Sequence, residues 1–173
     1  MTAKGHVALA ITPALIIADG LKSELYVLFL GFVFIGALLP DIDEPNSFIG
    51  KRLNFLSIPL KILGIEHRTF THYLIFPFML LLIASFVSNP YIQISVLGLS
   101  FGVLMHDIGD MLTKGGIKGF LYPFYKNKTF RVLPKEMTFY TNSIIEHIVI
   151  FILVLIDIFI VIKVLNIYEL FNI

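Results

Sequence analysis

The residues of this chain that could do chemistry are its histidines and a few carboxylates: His6, His67, His72 and His106 with Asp41, Asp43, Asp110 and Glu146. His106 and Asp110 are four apart, so on a helix they project from one face and can hold a single ion. His67 and His72 are five apart, which one helix would splay by about 140°. They converge only if His67 lies in a loop and His72 in the first helical turn. Asp41-Ile42-Asp43 after Pro40 reads as a helix end, where two carboxylates turn toward one cavity. Imidazole with carboxylate suits Zn²⁺, Mn²⁺ or Fe²⁺ better than Mg²⁺ or Ca²⁺, which favour all-oxygen shells. The set exceeds what one tetrahedral ion needs, so two ions are expected. A pair about 3.5–4 Å apart can clamp a phosphoester and supply a hydroxide nucleophile.

These residues belong to a chain built for lipid. Of its 173 residues 57 % are hydrophobic and only 14 % charged, against roughly 25 % charged in soluble domains. No fold of this size hides so much apolar surface from water, so the expected class is all-α, a polytopic membrane bundle in a single domain over residues 1–173. With no cysteine, disulfides and thiolate metal sites are excluded. Lys4 ahead of an apolar run resembles a signal peptide, but no A-x-A-like site follows and His6 opens the run.

Five segments read as membrane helices: about His6 to Ala18, Glu24 to Leu39, His72 to Val87, Tyr91 to Leu112 and Ile144 to Ile167. The first is short and carries Pro13. Two connections are tight turns. The other two, Pro40 to Thr71 and Thr113 to Ser143, are long and mix bases with aromatics such as Phe48, Phe55, Phe120 and Tyr122, a composition suited to lying in the headgroup zone. If the five alternate, one side holds all of the thirteen Lys and Arg except Lys22 and Lys163. The positive-inside rule makes that side cytoplasmic, with the N-terminus inside and the C-terminus outside.

In that arrangement each histidine, and Asp41, Asp43, Asp110 and Glu146, falls at the cytoplasmic end of its helix. Nothing in the alternation forces this convergence, and it carries the metal reading. Taken singly, His147 reads as a solvated interfacial residue and Asp107 as a surface or supporting group. Glu44, Glu66 and Glu136 read as solvated. Asp157 lies three turns beyond Glu146 and reads first as a carboxyl hydrogen-bonded within the bundle, to Ser85, Ser95 or Ser100, and otherwise as a proton-path residue.

The chain resembles the YdjM-like family of LexA-regulated, membrane-bound metal-dependent hydrolases. The resemblance rests on His6, the Leu38-Leu39-Pro40-Asp41-Ile42-Asp43 run with Glu44-Pro45-Asn46-Ser47 after it, and His67-Arg68-Thr69-Phe70-Thr71-His72. It continues through His106-x-x-x-Asp110, Thr113-Lys114-Gly115-Gly116-Ile117, Tyr122-Pro123-Phe124 and Thr141-Asn142-Ser143 with Glu146. Thr69 and Tyr73 depart from the Gly and Ser usual there. The resemblance implies a site of His6, Asp41, Asp43, His67, His72, His106, Asp110 and Glu146. A more distant similarity, to zinc-dependent phospholipase C and P1-type nucleases, implies phosphoester hydrolysis.

The expectation is therefore a phosphoester hydrolase of the inner membrane. It would use two divalent metals, most simply Zn²⁺, a metal-bound hydroxide, and Asp41 or Glu146 as general base. Arg68 and Lys114 would neutralise substrate phosphate. Membrane lipids are the expected partners, a lipid phosphate the natural substrate, and no nucleic acid is expected. The rival classes are a metal transporter and a protein whose metal only staples the bundle.

Overall fold

The computed structural model describes residues 1–63, 67–68 and 70–171, with side chains placed as far as Val164. Glu66 and Thr69 lie outside the described residues. Six α-helices stand among those described: α1 Ala3–Ile17, α2 Ser23–Gly36, α3 Asn54–Ile62, α4 Ile75–Phe86, α5 Pro90–Met111 and α6 Ile144–Phe171. The fold is an all-α membrane bundle. Ser23–Asp43, Pro90–Met111 and Ile144–Val164 are long and apolar enough to cross a bilayer. Ala3–Ile17 and Ile75–Phe86 are shorter apolar helices.

The centre of the bundle is α5, which packs on α2, α4 and α1, while α6 lies against α1. Small residues set how closely these helices approach. On α5, Gly98, Gly102, His106 and Asp110 follow one another at intervals of four, forming a single stripe. A Cβ at Gly102 would stand 2.3 Å from the Val33 carbonyl, and one at Gly36 2.3 Å from the Leu99 carbonyl. The α2 and α5 backbones thus touch, the close-packing mode that joins helices in lipid. Beside this seam Ala10 and Ala14 of α1, with Ala18 just after it, pack on Phe29, Val33 and Ala37. Outward faces are apolar and exposed, as on α6 with Phe151, Leu155, Phe159 and Ile162.

The helix directions alternate, so the start of α1, the end of α2, the start of α4, the end of α5 and the start of α6 meet at one rim. At the opposite end the Tyr91 hydroxyl donates to Glu24, joining the starts of α5 and α2. The two long connections cover the rim end. The first holds a 3₁₀ turn at Leu39–Asp43, the short helix α3 and a second 3₁₀ turn at Phe70–His72. Helix α3 buries only Ser57 and exposes Phe55, Leu56, Ile58 and Ile62.

The second connection contains a feature the sequence reading did not anticipate. A two-residue antiparallel pair, β1 Ile117–Lys118 with β2 Thr129–Phe130, closes a hairpin. The Phe120 carbonyl accepts from Leu74 N–H, tying that hairpin to the start of α4.

Candidate metal centre

Each candidate ligand is placed by an identifiable local cause. His106 sits on the glycine stripe of α5, so the α2–α5 contact carries its imidazole to the end of α2. There Nδ1 donates to the Ala37 carbonyl at 2.8 Å, which leaves Nε2 of the neutral ring as the acceptor. His67 Nδ1 lies 2.8 Å from Asp43 Oδ1, and His72 Nδ1 lies 3.0 Å from Thr71 Oγ1. Asp43 Oδ2 accepts from the Arg68 N–H and the Thr71 hydroxyl. Pro40 and the 3₁₀ turn aim Asp41 and Asp43 inward, as read from sequence. His67 and His72 do converge, from a turn and a 3₁₀ helix, with ring centroids 5.5 Å apart.

The inward nitrogens and oxygens stand at ligand spacing. His72 Nε2 and His106 Nε2 are 3.2 Å apart. Two donors each 2.0–2.1 Å from one tetrahedral ion would be about 3.3 Å apart. Asp41 Oδ1 is 3.6 Å from His106 Nε2, and Asp110 Oδ2 is 3.7 Å from His72 Nε2. His6 stacks on His106, centroids 3.6 Å apart, with Nε2 3.4 Å from Asp110 Oδ1. This approach needs Gly109, where a Cβ would fall 2.9 Å from His6 Nδ1.

Three overlapping donor groups result: His6, Asp41 and His106; Asp41, His67 and His72; and His72, His106 and Asp110. Within each, the ligand atoms lie within 4.8 Å of one another. Asp41, His72 and His106 each belong to two groups. Both ring nitrogens of His6 and Oδ2 of Asp110 are buried without a hydrogen-bond partner. Such groups are costly to leave unsatisfied, and a cation among them would satisfy them. Neutral imidazole with carboxylate is a donor set for a divalent transition metal. The residues therefore fit a metal.

Charge around the cluster is balanced by cations as well. Arg68 sets Nη2 2.8 Å from Asp110 Oδ1 and Nε 2.8 Å from Oδ2, the latter an ion pair without hydrogen-bond alignment. Its Nη1 donates to the Gly116 carbonyl, and its backbone is left-handed at φ 64°. A side chain at Gly115 would exclude this pose, since its Cβ would lie 2.3 Å from Nη1. The Met1 amine also donates to Asp110 Oδ1. Burial opposes protonation of His67, but the Asp43 hydrogen bond and charge, with Asp41 beyond, hold its imidazole above the ordinary value.

Six of the eight sequence-derived ligands thus fall in the donor groups. Asp43 instead braces His67, in the manner of the outer carboxylates that orient ligating imidazoles. Glu146 stands apart. Its Oε1 accepts from the N–H and hydroxyl of Thr2, and its Oε2 from Asn142 N–H, so it joins the starts of α1 and α6. That arrangement commits both oxygens away from the cluster. Lys114 is also elsewhere, its Nζ donating to the Lys135 carbonyl and lying 5.9 Å from the Tyr140 ring centre.

The remaining polar residues sort as follows. His147 is exposed, with Nδ1 on the Ser143 carbonyl. Asp157 is hydrogen-bonded within the bundle, but its partner is the Thr12 hydroxyl at 2.6 Å; Ser85, Ser95 and Ser100 donate to backbone carbonyls. Asp107 is not a surface group: it is fully buried and neither oxygen has a hydrogen-bond partner. Its position one residue after His106, about 100° round the helix, gave no signal of this.

A cavity of about 350 Å³ opens beside the cluster, lined by His67, Arg68, Tyr73, Gly115, Gly116, Lys118, Lys126 and Asn127. It meets the donor groups at His67, and at Arg68 through that side chain's pairing with Asp110.

Comparison with known proteins places these observations. The profile of the family described as YdjM inner membrane protein matches residues 1–169. The inner membrane protein YdjM of Escherichia coli (strain K12) is 33 % identical over 126 residues, covering 68 % of this chain and 63 % of that protein. Uncharacterized protein YvsG of Bacillus subtilis (strain 168) is 41 % identical over 120 residues, 66 % of each chain. The chain therefore spans somewhat under two thirds of the length of the relatives it matches. No solved structure matches it.

Proposed function

The chain belongs to the YdjM inner membrane protein family, and from that premise we propose that it is a membrane-embedded metal-dependent phosphoester hydrolase. The observation that carries this reading is the overlap of three donor groups through Asp41, His72 and His106. One ion would use a single group; overlap suits two neighbouring ions, with Zn²⁺ the simplest choice for this donor set. Such ions acidify water and draw charge from a phosphoryl group.

The chain's own residues supply the rest. His6, His67, His72, His106, Asp41 and Asp110 hold the cations. Asp41 is the least enclosed carboxylate of the set, 15 % exposed against 1 % for Asp110, so it is the one that incoming water reaches and the proposed proton acceptor. Arg68 binds the substrate phosphate at the cavity wall. A rim at the end of the helices lets a lipid phosphate reach the cluster without leaving the bilayer, and the Lys and Arg bias puts that rim at the cytoplasmic face.

The test is elemental analysis of purified protein together with phosphate release from phosphatidic acid. Wild type should carry close to two transition-metal ions per chain and release phosphate. His72→Ala and Asp110→Ala should lose metal, and Asp41→Asn should both weaken metal binding and lose turnover by about 10²–10⁴-fold. Protein that takes up no transition metal when it is supplied would overturn the proposal. Metal-loaded wild type moving metal across vesicles without releasing phosphate from any phosphoester would favour transport instead.

A further inference from the structure

We propose that the cavity beside the donor groups is a subsite for a second, non-reacting phosphate, which makes a lipid diphosphate a better substrate than a monoester. This rests on the hydrolase reading above and names the substrate class for the same site.

Three cationic side chains, Arg68, Lys118 and Lys126, face one cavity of about 350 Å³ with the Asn127 amide, and no carboxylate is among its described lining residues. Arg68 is already paired with Asp110, so the charges left to balance at this cavity are those of Lys118 and Lys126, and an anion between them offsets their repulsion. The fold assigns the three cations different tasks. Arg68 is pinned to Asp110 and to the Gly116 carbonyl, so it marks the boundary with the cluster. Lys118 belongs to β1 and Lys126 with Asn127 to the connection before β2, so these three come from the hairpin.

The hairpin is positioned for this. Gly116 and Gly119 hold positive φ where a side chain would be strained, and a Cβ at Gly116 would stand 2.6 Å from the Phe130 carbonyl. Tyr122 stacks on Tyr73 at 4.9 Å, and Lys126 Nζ lies 5.3 Å from the Tyr122 ring centre. The phosphate under attack is already served by the cluster and Arg68. The hairpin lysines and Asn127 then match a phosphate one bridge further along the substrate.

In the reaction, water oxygen bonds to the terminal phosphorus and its proton passes to Asp41. The bridging P–O bond breaks, and the products are inorganic phosphate and the lipid monophosphate. The ester-linked phosphate stays in the subsite throughout.

The experiment uses full-length, metal-loaded protein in nanodiscs with two readouts. Turnover is followed with farnesyl diphosphate and farnesyl monophosphate. Binding is followed by tyrosine fluorescence with dimethylallyl diphosphate and dimethylallyl monophosphate. The diphosphate should bind at least about tenfold more tightly and turn over with correspondingly higher kcat/KM, as expected for two added charge-assisted contacts. The Lys118→Ala/Lys126→Ala double variant should collapse both preferences, chiefly through KM, and Lys118→Arg/Lys126→Arg should restore them. Equal binding of the two phosphates, or a preference that survives the double alanine variant, overturns the subsite. Absence of phosphate release from every substrate by metal-loaded wild type defeats the hydrolase reading, while the binding readout still decides the subsite.

Discussion

An imidazole must be neutral to hold a cation, and the carboxylates around each ring decide how readily it becomes so. Asp43 holds His67 above the ordinary histidine value, so this ring keeps its proton over a wider range than a free histidine. A metal binding there displaces that proton, and affinity falls as pH falls. Zinc titrations against a competing chelator from pH 6 to 8.5 should therefore weaken below an inflection lying higher than about 6.5. Asp43→Asn should move the inflection downward and weaken the high-pH affinity by about 10–100-fold, because the ring also loses its orienting partner. Affinity flat across that range would remove His67 from the ligands. A second prediction concerns Gly109, whose missing side chain leaves room for His6. Gly109→Ala should keep the helical circular dichroism yet weaken metal binding by about 10–100-fold, since His6 must shift. At this scale His106 and Asp110 were legible because a spacing of four needs no tertiary information. Gly109, the burial of Asp107 and the pairing of Glu146 with Thr2 were not, since each depends on a neighbour distant in sequence.

Helices carry these residues to one place, and the seam between α2 and α5 does most of the carrying. Gly98 and Gly102 continue the line of His106 and Asp110, so any change that opens the seam also withdraws His106 from the Ala37 carbonyl. Gly102→Ala puts a methyl group into backbone, with no flexible side chain to yield. Overpacking of this kind costs about 1–3 kcal/mol, which should lower the apparent Tm by roughly 2–12 °C. Gly31→Ala is the matched control, because nothing lies within 4 Å of its added Cβ. It should be neutral or stabilising by up to about 1 kcal/mol through helix propensity. Thermal unfolding of the two variants side by side, with metal content measured on each, checks the seam; equal behaviour would refute it. The sequence showed the apolar segments, and the alternation of their directions follows from the chain. It concealed the seam, because glycines within an apolar run look the same whether they face lipid or another helix. It also implies a longer third span than α4 provides, since the residues around His72 form a 3₁₀ turn rather than the first turn of a helix, while α1 begins three residues before the expected His6.

For the whole molecule, the cluster gathers side chains from parts of the chain far apart in sequence. His6 comes from α1, Asp41 from the turn after α2, His72 from the turn before α4, and His106 with Asp110 from α5. A cation held by groups on so many elements binds the assembled bundle and not the separated helices, so its binding free energy adds to the stability of the assembly. At a free metal concentration about 100 times Kd the gain is about 2.7 kcal/mol. For a chain of this length that corresponds to an apparent Tm roughly 5–11 °C higher with metal than after chelation. Asp41→Asn should lose much of this difference, because Asp41 joins two of the three donor groups. Glu146→Gln should instead lower the metal-free and metal-loaded values together, since its bonds to Thr2 and Asn142 lie outside the donor groups. Differential scanning fluorimetry with and without chelator on the three proteins separates these effects. A metal-loaded wild type that melts at the same temperature after chelation would mean that the ions sit on one element, and the shared rim would not be a metal centre.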